Sequence, residues 1–289
     1  MSDSRSQRWR DRRTTFVAND RIMDPAIHSV DIIHCQRAAK PFIEQHHYSG
    51  SFPATRLSCG LFRNSDEGSQ MVGVVSFSVP INSNSGPKHT GLEPPSTIEL
   101  GRLVLLDHVE ANAESWFVSR AFKLLRSEKP DIEAVFSYSD PVQRRDEFGR
   151  IVLPGHVGSV YQALSASCRG RGTPRTLLTL PNGRVMSERA LSKLRKGDQG
   201  AEYAERQLLN AGARPMRHGE SPQEWIASLR TSGFLSTRRH PGNWVYAFAL
   251  THKARKAAQS LPCVDYPKKD PAVRSGDVST LDLMLSLAA

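Results

Sequence analysis

Apolar residues follow two different periods along the chain, and each period predicts one kind of element. Alternating or continuous apolar runs of strand length lie at residues 30–33, 56–62, 71–79, 97–107, 132–137, 175–180 and 244–250. Apolar residues at helical spacing predict helices at residues 36–47, 112–129, 159–166, 187–196, 201–210 and 222–231. Because strands and helices are interspersed, the pattern predicts an α+β fold with a mixed sheet flanked by helices.

One domain is predicted to contain most of the chain. We place it at residues 29–255, with residues 187–231 as a helical insertion before the last strand. Residues 1–28 are predicted to be a basic flexible N-terminal arm, because they carry too little apolar surface to fold alone. Residues 256–289 are predicted to be a C-terminal tail, in which residues 281–287 have the spacing of a short amphipathic element.

The composition supports a packed core and favours a polyanionic partner. Of the 289 residues, 38% are hydrophobic, and 39 Lys and Arg against 29 Asp and Glu give a net charge of +10. Such an excess favours nucleic acid or another anionic surface, because basic side chains release counterions from phosphates. No apolar stretch approaches the roughly 18 residues of a membrane helix, and no secretory signal is recognisable. We therefore expect a cytoplasmic protein with no membrane partner.

Common motifs of nucleotide, metal and hydrolase chemistry are missing from the sequence. It contains no phosphate-binding glycine loop, no dinucleotide fingerprint and no motif of zinc proteases, serine hydrolases or zinc deaminases. The four cysteines are too scattered to predict a disulfide framework or a structural zinc site. We expect them to be reduced thiols.

Candidate chemistry lies instead near the ends of the predicted elements. His47 and Tyr48 follow the first helix, where they could supply a base and a phenol, two metal ligands, or only a histidine favoured by the helix dipole. Arg102 lies in an apolar strand, so it needs a carboxylate partner such as Glu99 or Asp140, or else an anionic ligand.

A second group of polar and aromatic residues follows the strand at residues 132–137. Ser139 and Asp140 lie at its carboxyl end, where mixed sheets usually bind ligands. Asp140 is the preferred catalytic residue, since a carboxylate there can take a proton from an amine or orient an imidazole; the alternative is an Asp-Pro turn. Tyr138 and Tyr161 could stack on an unpaired base or pack at the edge of the core.

A cluster of basic residues predicts a phosphate-contacting surface. A loop rich in glycine and arginine beside a basic helix face is typical of such surfaces, and the alternative is a solvated basic face. The candidate DNA-binding residues are Arg169, Arg171, Arg175, Arg184 and Lys193. Arg238, Arg239 and His240 would extend this surface.

Taken together, these segments resemble the Mom DNA-modification proteins of Mu-like bacteriophages, which look like a branch of the GNAT acyltransferase fold. The resemblance covers residues 29–163, and residues 184–250 are similar to the C-terminal part of such proteins. The segments that carry it are residues 46–50, 74–77, 99–103, the helix from residue 112, and residues 136–140 and 158–163.

The resemblance implies a transferase that adds a carbamoylmethyl-type group to N6 of adenine in phage DNA and protects that DNA from host restriction. It implies double-stranded DNA and a small-molecule group donor as partners, in the cytoplasm of a bacterial host. An enzyme that modifies adenine N6 is expected to flip the base and stack it on aromatic side chains. By matching position, the implied catalytic residues are His47, Tyr48, Arg102, Ser139 and Asp140.

The loop before the helix at residue 112 departs from the GNAT pattern. Ordinary GNAT enzymes hold the coenzyme A pyrophosphate on a glycine-rich loop at this helix N-terminus. Residues 108–114 contain two carboxylates and no glycine, which argues against acyl-CoA, so the cofactor is unknown and a metal near His47 and Tyr48 stays an alternative. Two other functions stay open: an N-acyltransferase acting on a protein or small amine, and a non-catalytic DNA-binding protein on a degenerate GNAT scaffold.

Overall fold

The computed structural model describes residues 22–268, together with the backbone of two strands that precede them. The strands are β1 (Arg5–Arg10), β2 (Arg13–Ala18), β3 (His28–Ile33), β4 (Thr55–Ser65), β5 (Gly68–Ser78), β6 (Thr97–Leu105), β7 (Ala134–Ser139), β8 (Arg144–Arg145), β9 (Ile151–Leu153), β10 (Ser167–Arg171), β11 (Arg175–Thr179), β12 (Val185–Met186), β13 (Ser236–His240) and β14 (Trp244–Ala249).

Helices connect these strands. They are α1 (Lys40–His46), α2 (Ser85–Thr90), α3 (Ala113–Glu128), α4 (Ser159–Ala163), α5 (Glu188–Lys196), α6 (Ala201–Asn210), α7 (Pro222–Thr231) and α8 (His252–Gln259). A π-helical turn, Cys35–Ala39, leads directly into α1, and single 3-10 turns lie at Pro25–Ile27 and Pro94–Ser96. No helix in this part of the chain is long and apolar enough to cross a membrane.

A seven-stranded mixed sheet organises the main core. Its strand order is β10-β14-β7-β6-β5-β4-β3, with β6 and β7 parallel and the other neighbours antiparallel. Neighbouring residues of a strand point to opposite faces, so Val74 packs with α1 whereas Val75 packs in the cluster that contains Phe117 of α3. Helices therefore cover both faces of the sheet.

The helical insertion has a hydrophobic cluster of its own. Helices α5, α6 and α7 pack with a three-stranded sheet of order β12-β11-β13, around the fully buried Trp225 and Leu208. The predicted fold class, a mixed sheet flanked by helices with a helical insertion before the last strand, is confirmed. The predicted domain boundaries stay predictions.

Several elements differ from the predicted pattern because backbone pairing or packing, rather than an apolar period, stabilises them. Strand β10 lies in the predicted glycine and arginine loop and pairs with β14 at the edge of the main sheet. Strand β13, with the sequence STRRH, pairs with β11 although four of its five residues are exposed. Helix α2 lies inside the predicted polar loop at residues 82–96, and β8 and β9 form a further hairpin.

Both predicted terminal segments contain regular elements in the described part of the chain. Where a flexible arm is expected, β1 and β2 pair along their whole length. Where a tail is expected, helix α8 continues past residue 256, and the hydroxyl of Tyr266 donates a hydrogen bond to the Ala166 carbonyl at 2.7 Å. The amphipathic element predicted at residues 281–287 lies outside the described residues.

Candidate active site

A cavity opens where strands β6 and β7 separate. The two strands pair in parallel only over residues 97–99 and 134–136, although both continue beyond this pairing. A cavity of about 620 Å³ lies beyond it, lined by residues from both strands, the α1–β4 turn and the loops after β7 and β9. The carboxyl ends of parallel strands are where ligands usually bind in such sheets.

A β-bulge at Gly101 brings two charged residues of β6 to this cavity. Ser76 pairs with Arg102 and Phe77 with Leu100, so Gly101 is the extra residue. Positions 99 and 102 are an odd number of residues apart and would face opposite sides of a regular strand. Because the bulge adds one residue, both Glu99 and Arg102 line the cavity.

Neutral oxygens, rather than a carboxylate, hold the Arg102 guanidinium. Its Nε donates to the Ser51 carbonyl at 3.0 Å, Nη2 to the Ser51 hydroxyl at 3.0 Å and Nη1 to the Gly101 carbonyl at 2.6 Å. No carboxylate among residues 22–268 lies within ion-pair distance of Arg102. The carboxylate partner that the sequence offers as one alternative is therefore absent from this region, and Arg102 presents a positive charge to the cavity.

His47 lies at the C-terminus of α1 with one ring nitrogen occupied. The Ser49 backbone N–H donates to Nδ1 at 3.1 Å, and the Ser49 hydroxyl is 2.8 Å from the same atom. Since a backbone N–H only donates, Nδ1 is unprotonated and Nε2 carries the hydrogen. Burial, followed by the charges of Arg102 and His156, lowers the pKa of His47 well below its usual value. His47 is therefore a neutral imidazole with Nε2–H as its remaining polar group.

Aromatic rings form part of the cavity wall. The rings of His47 and Tyr48 are stacked with centroids 4.1 Å apart, and burial raises the pKa of the Tyr48 hydroxyl. Tyr138 lines the cavity from β7, and burial raises its pKa as well. Both hydroxyls are therefore protonated at neutral pH and can donate hydrogen bonds.

Asp140 is bonded on both carboxylate oxygens. Oδ1 accepts from His240 Nε2 at 2.9 Å and from the Val142 backbone at 3.0 Å, while Oδ2 accepts from Arg144 at 3.1 Å. The Gly242 backbone N–H donates to Nδ1 of His240, which fixes the tautomer that donates to Asp140. Asp140 thus combines two roles offered by the sequence, since it closes an Asp-Pro turn and orients an imidazole.

Two predicted site residues are buried, and only one of them reaches the cavity. Ser139 is fully buried and does not line the cavity, because it projects from the opposite face of β7 to Tyr138 and Asp140. Tyr161 is 7% exposed, its hydroxyl accepts a hydrogen bond from Ser137, and its ring packs against Tyr246 with centroids 5.4 Å apart. The structure therefore does not bring Ser139 to the cavity, whereas Tyr161 lines it from a buried position, and the stacking role of Tyr161 stays a prediction.

The predicted DNA-binding residues divide into two groups. Arg169 donates to the backbone carbonyls of His89, Ala258, Leu261 and Pro262, so it joins β10 to the C-terminal segment. These four hydrogen bonds give Arg169 a structural role within the fold, and its predicted DNA contact stays a prediction.

The other basic residues remain available to a partner to different degrees. Arg171 and Arg175 are exposed, with Arg171 over the Trp244 ring and Arg175 bonded to Asn243, which lines the cavity. The exposed Arg184 lies against the backbone of Gly50, beside the α1–β4 turn. Lys193 is half-buried on α5. We define the basic surface as Arg171, Arg175, Arg238 and Arg239, and it adjoins the cavity through the contact of Arg175 with Asn243.

Sequence reasoning missed part of the polar network around the cavity. Arg144 was not singled out, and His240 was assigned only to a basic surface, yet both bond to Asp140. Glu99 was considered only as a partner for Arg102, yet it lines the cavity as a carboxyl group of its own. Gly101, two positions after Glu99, was a signal for this placement, because a glycine in a strand often marks a bulge.

The structure also bears on the cofactor alternatives. Within residues 22–268, no group of three or more His, Cys, Asp or Glu side chains is placed to hold a metal ion. In the loop before α3, Glu110 pairs with Arg63 at 3.1 Å, so this carboxylate is held within the fold. All four cysteines are free thiols.

Comparisons with known proteins relate the chain to one family. Residues 28–221 match the model of the Mom protein family. The chain is 30% identical over 177 residues to the methylcarbamoylase Mom of Escherichia phage Mu, and the match spans 60% of this chain and 66% of the relative, just under two thirds of its length.

Solved structures that resemble the chain are more distant. Arabidopsis thaliana NAA60 in complex with a bisubstrate analogue has 12% identity and a TM-score of 0.33, over 54% of this chain and 94% of its own. Malonyl-CoA decarboxylase from Rhodopseudomonas palustris has 11% identity and a TM-score of 0.33, over 82% of this chain and 60% of its own. The family match extends over more than half of the sequence and includes β6, β7 and all of the residues that line the cavity except Asn243. The chain belongs to the Mom protein family.

Proposed function

We propose that the protein is a transferase that adds a carbamoylmethyl-type group to N6 of adenine in phage DNA. The observation that carries this proposal is the cavity between β6 and β7, which combines hydrogen-bond donors, a carboxyl group and aromatic walls and adjoins exposed arginines. Membership of the Mom family and the similarity to the phage Mu methylcarbamoylase support it. We further propose that the modification protects phage DNA from host restriction, within the cytoplasm of the bacterial host.

The hydrogen-bond donors in the cavity suit a reaction in which a small molecule supplies an electrophilic group. Adenine N6 is a poor nucleophile, because its lone pair is delocalised into the ring, so stabilising the charge that develops on the electrophile lowers the barrier. The Arg102 guanidinium and the Nε2–H of His47 are two such donors. Both donors are already held in place, because Ser51 bonds to the Arg102 guanidinium and Ser49 bonds to the His47 ring.

The walls of the cavity suit a flipped base. An adenine in a duplex exposes N6 only in the major groove, and enzymes that act on a base usually extrude it into a pocket. Tyr48 and Tyr138 present aromatic surface and hydroxyl donors inside this cavity. The basic surface beside Asn243 would hold the phosphates on either side of the extruded nucleotide.

Mass spectrometry of nucleosides tests the proposal directly. Plasmid DNA from a bacterium that expresses the chain is digested, and modified deoxyadenosine is quantified for the wild type, Asp140→Ala and Asp131→Ala. We expect a modified deoxyadenosine with the wild type and with Asp131→Ala, because Asp131 is exposed and does not line the cavity. We expect none with Asp140→Ala, because Arg144 and His240 lose the carboxylate that positions them.

The same experiment distinguishes the other functions. Unmodified DNA from folded wild-type protein would contradict the proposal and favour an N-acyltransferase or a DNA-binding protein. If Asp140→Ala loses its thermal unfolding transition, then the residue acts mainly on stability, and Arg102→Ala becomes the variant that tests the site.

A further inference from the structure

We propose that Glu99 is the catalytic base that takes the proton from adenine N6. This inference rests on the proposed function and assigns a residue to its chemical step. It also changes the role expected of Asp140, the carboxylate that the sequence favours.

Glu99 lines the cavity on the same face of β6 as Arg102 and is not hydrogen-bonded to another described side chain. It lies on β6 beside the point where the pairing of β6 with β7 ends. Among the described residues, its carboxyl group accepts no hydrogen bond and has no ion pair within 4 Å, although Arg102 lines the same cavity. The carboxyl oxygens of Glu99 are therefore available to a ligand.

The environment of Glu99 favours proton uptake. Burial raises the pKa of its carboxyl group above the usual value, and the charge of Arg102 opposes this shift only in part. A carboxylate with a raised pKa is a stronger base than a solvated one, and catalysis is most efficient when the pKa of the base lies near the working pH.

Two other candidate bases in the cavity, Asp140 and His47, are occupied. Both oxygens of Asp140 already accept hydrogen bonds, one from Arg144 and one from His240, so taking a proton would cost these contacts. His47 uses Nδ1 to accept from the Ser49 backbone and holds its hydrogen on Nε2, so its free side donates. Glu99 is the acceptor that complements these donors.

The proposed step balances with an activated donor as the only co-reactant. The N6 lone pair attacks the electrophilic carbon of a donor that carries the transferred group on a leaving group. The N6–carbon bond forms, and the bond from that carbon to the leaving group breaks with its electron pair remaining on the leaving group. The N6 proton passes to the Glu99 carboxylate, which becomes a neutral carboxylic acid.

The test compares Glu99→Gln, Glu99→Asp and the control Glu93→Gln in the plasmid nucleoside assay. Glu93 is an exposed glutamate six positions earlier and does not line the cavity, so we expect wild-type modification from its variant. General-base catalysis typically contributes about 10²–10⁴-fold, so Glu99→Gln should lower modified deoxyadenosine by at least about 100-fold. Glu99→Asp keeps a carboxylate and should retain part of the activity.

Two additional measurements separate catalysis from folding and from the proposed function. Thermal unfolding and the affinity for a fluorescent DNA duplex should be unchanged in Glu99→Gln. Wild-type activity from Glu99→Gln would overturn the role of Glu99 while leaving the proposed function intact. Wild-type protein that makes no modified deoxyadenosine would overturn both. Equal loss in Glu99→Gln and Glu99→Asp, with a lowered melting temperature, would assign Glu99 a structural role and also overturn the inference.

Discussion

At the scale of single residues, polar groups around the cavity differ in whether the protein satisfies them. Asp140, His240 and Arg169 have partners within the fold, whereas Glu99 and the Nε2–H of His47 face the cavity. Residue type alone does not separate these groups, since both sets contain a carboxylate and a histidine. Their partners, which come from distant parts of the chain, decide which groups are available to a ligand.

A pair of charged residues in the insertion makes its stability depend on pH. The Arg214 guanidinium bonds to both oxygens of Glu220 and lowers the pKa of this carboxyl group to about 2 from 4.5. Because the folded-state pKa is lowered, the stabilisation is complete above pH 4.5 and is lost as the pH falls toward 2. As the pH falls across this interval, we expect the insertion to unfold at lower urea concentrations. The fluorescence of the buried Trp225 measures this unfolding.

A variant of the same pair supplies the control. Glu220→Gln removes the titrating carboxyl group, so the part of the pH dependence that Glu220 contributes should disappear, and the variant should be less stable than the wild type at pH 7. Glu202→Gln, on exposed helix surface, should leave the wild-type pH dependence in place. An identical shift in the wild type and Glu220→Gln would show that other groups cause the acid sensitivity.

At the scale of elements, one bulge in β6 places Glu99 and Arg102 on the same face of the strand. A Cβ at Gly101 would lie 2.2 Å from the Ser78 hydroxyl oxygen but 3.3 Å from the Ser78 Cβ. Gly101→Ala should therefore destabilise the protein by about 1–3 kcal/mol, because overpacking a filled site forces the strands apart. Urea unfolding measures this change in the free energy of unfolding.

The neighbouring serine allows the cause to be tested. Ser78→Ala removes the oxygen that the new methyl group would contact, so the double variant should regain part of the stability lost in Gly101→Ala. If the two changes are simply additive, then the clash with Ser78 is not the source of the loss.

At the scale of the whole molecule, the basic residues that give the net charge of +10 have different roles. Arg169 stabilises the fold, Lys253 pairs with Glu133, and Arg171 and Arg175 are exposed near the cavity. Changing Arg171 and Arg175 to Glu should weaken binding to a fluorescent duplex. The slope of log affinity against log salt should fall by about 0.9 for each phosphate contact that is lost.

The matched control for this prediction uses basic residues outside the basic surface. Arg255 and Lys256 are exposed on α8, and their change to Glu alters the net charge equally. We expect this control to keep the wild-type salt slope. The same decrease in slope in both double variants would indicate that total charge, rather than the basic surface, sets DNA affinity.

Local signals allowed much of the fold to be predicted from the sequence. Helices α6 and α7 have the predicted bounds, and α7 begins with a capping box in which Ser221 and Glu224 bond reciprocally. Such signals lie within a few residues, so a single sequence contains them. Strand β13 was missed because exposed arginines hide the strand period and pairing with β11 supplies its stability.

By itself, the sequence determined the order of the main elements, the basic charge and the family resemblance, since these depend on local periodicity, composition and short segments. The tertiary structure alone decided that Glu99 and Arg102 share one cavity, because the bulge depends on the register with β5. It also decided that His240 meets Asp140 across 100 residues and that Ser139 faces the core. Pairing between strands that are distant in the sequence determines which face of the sheet each side chain occupies. For this reason, the sequence could predict the site only in part.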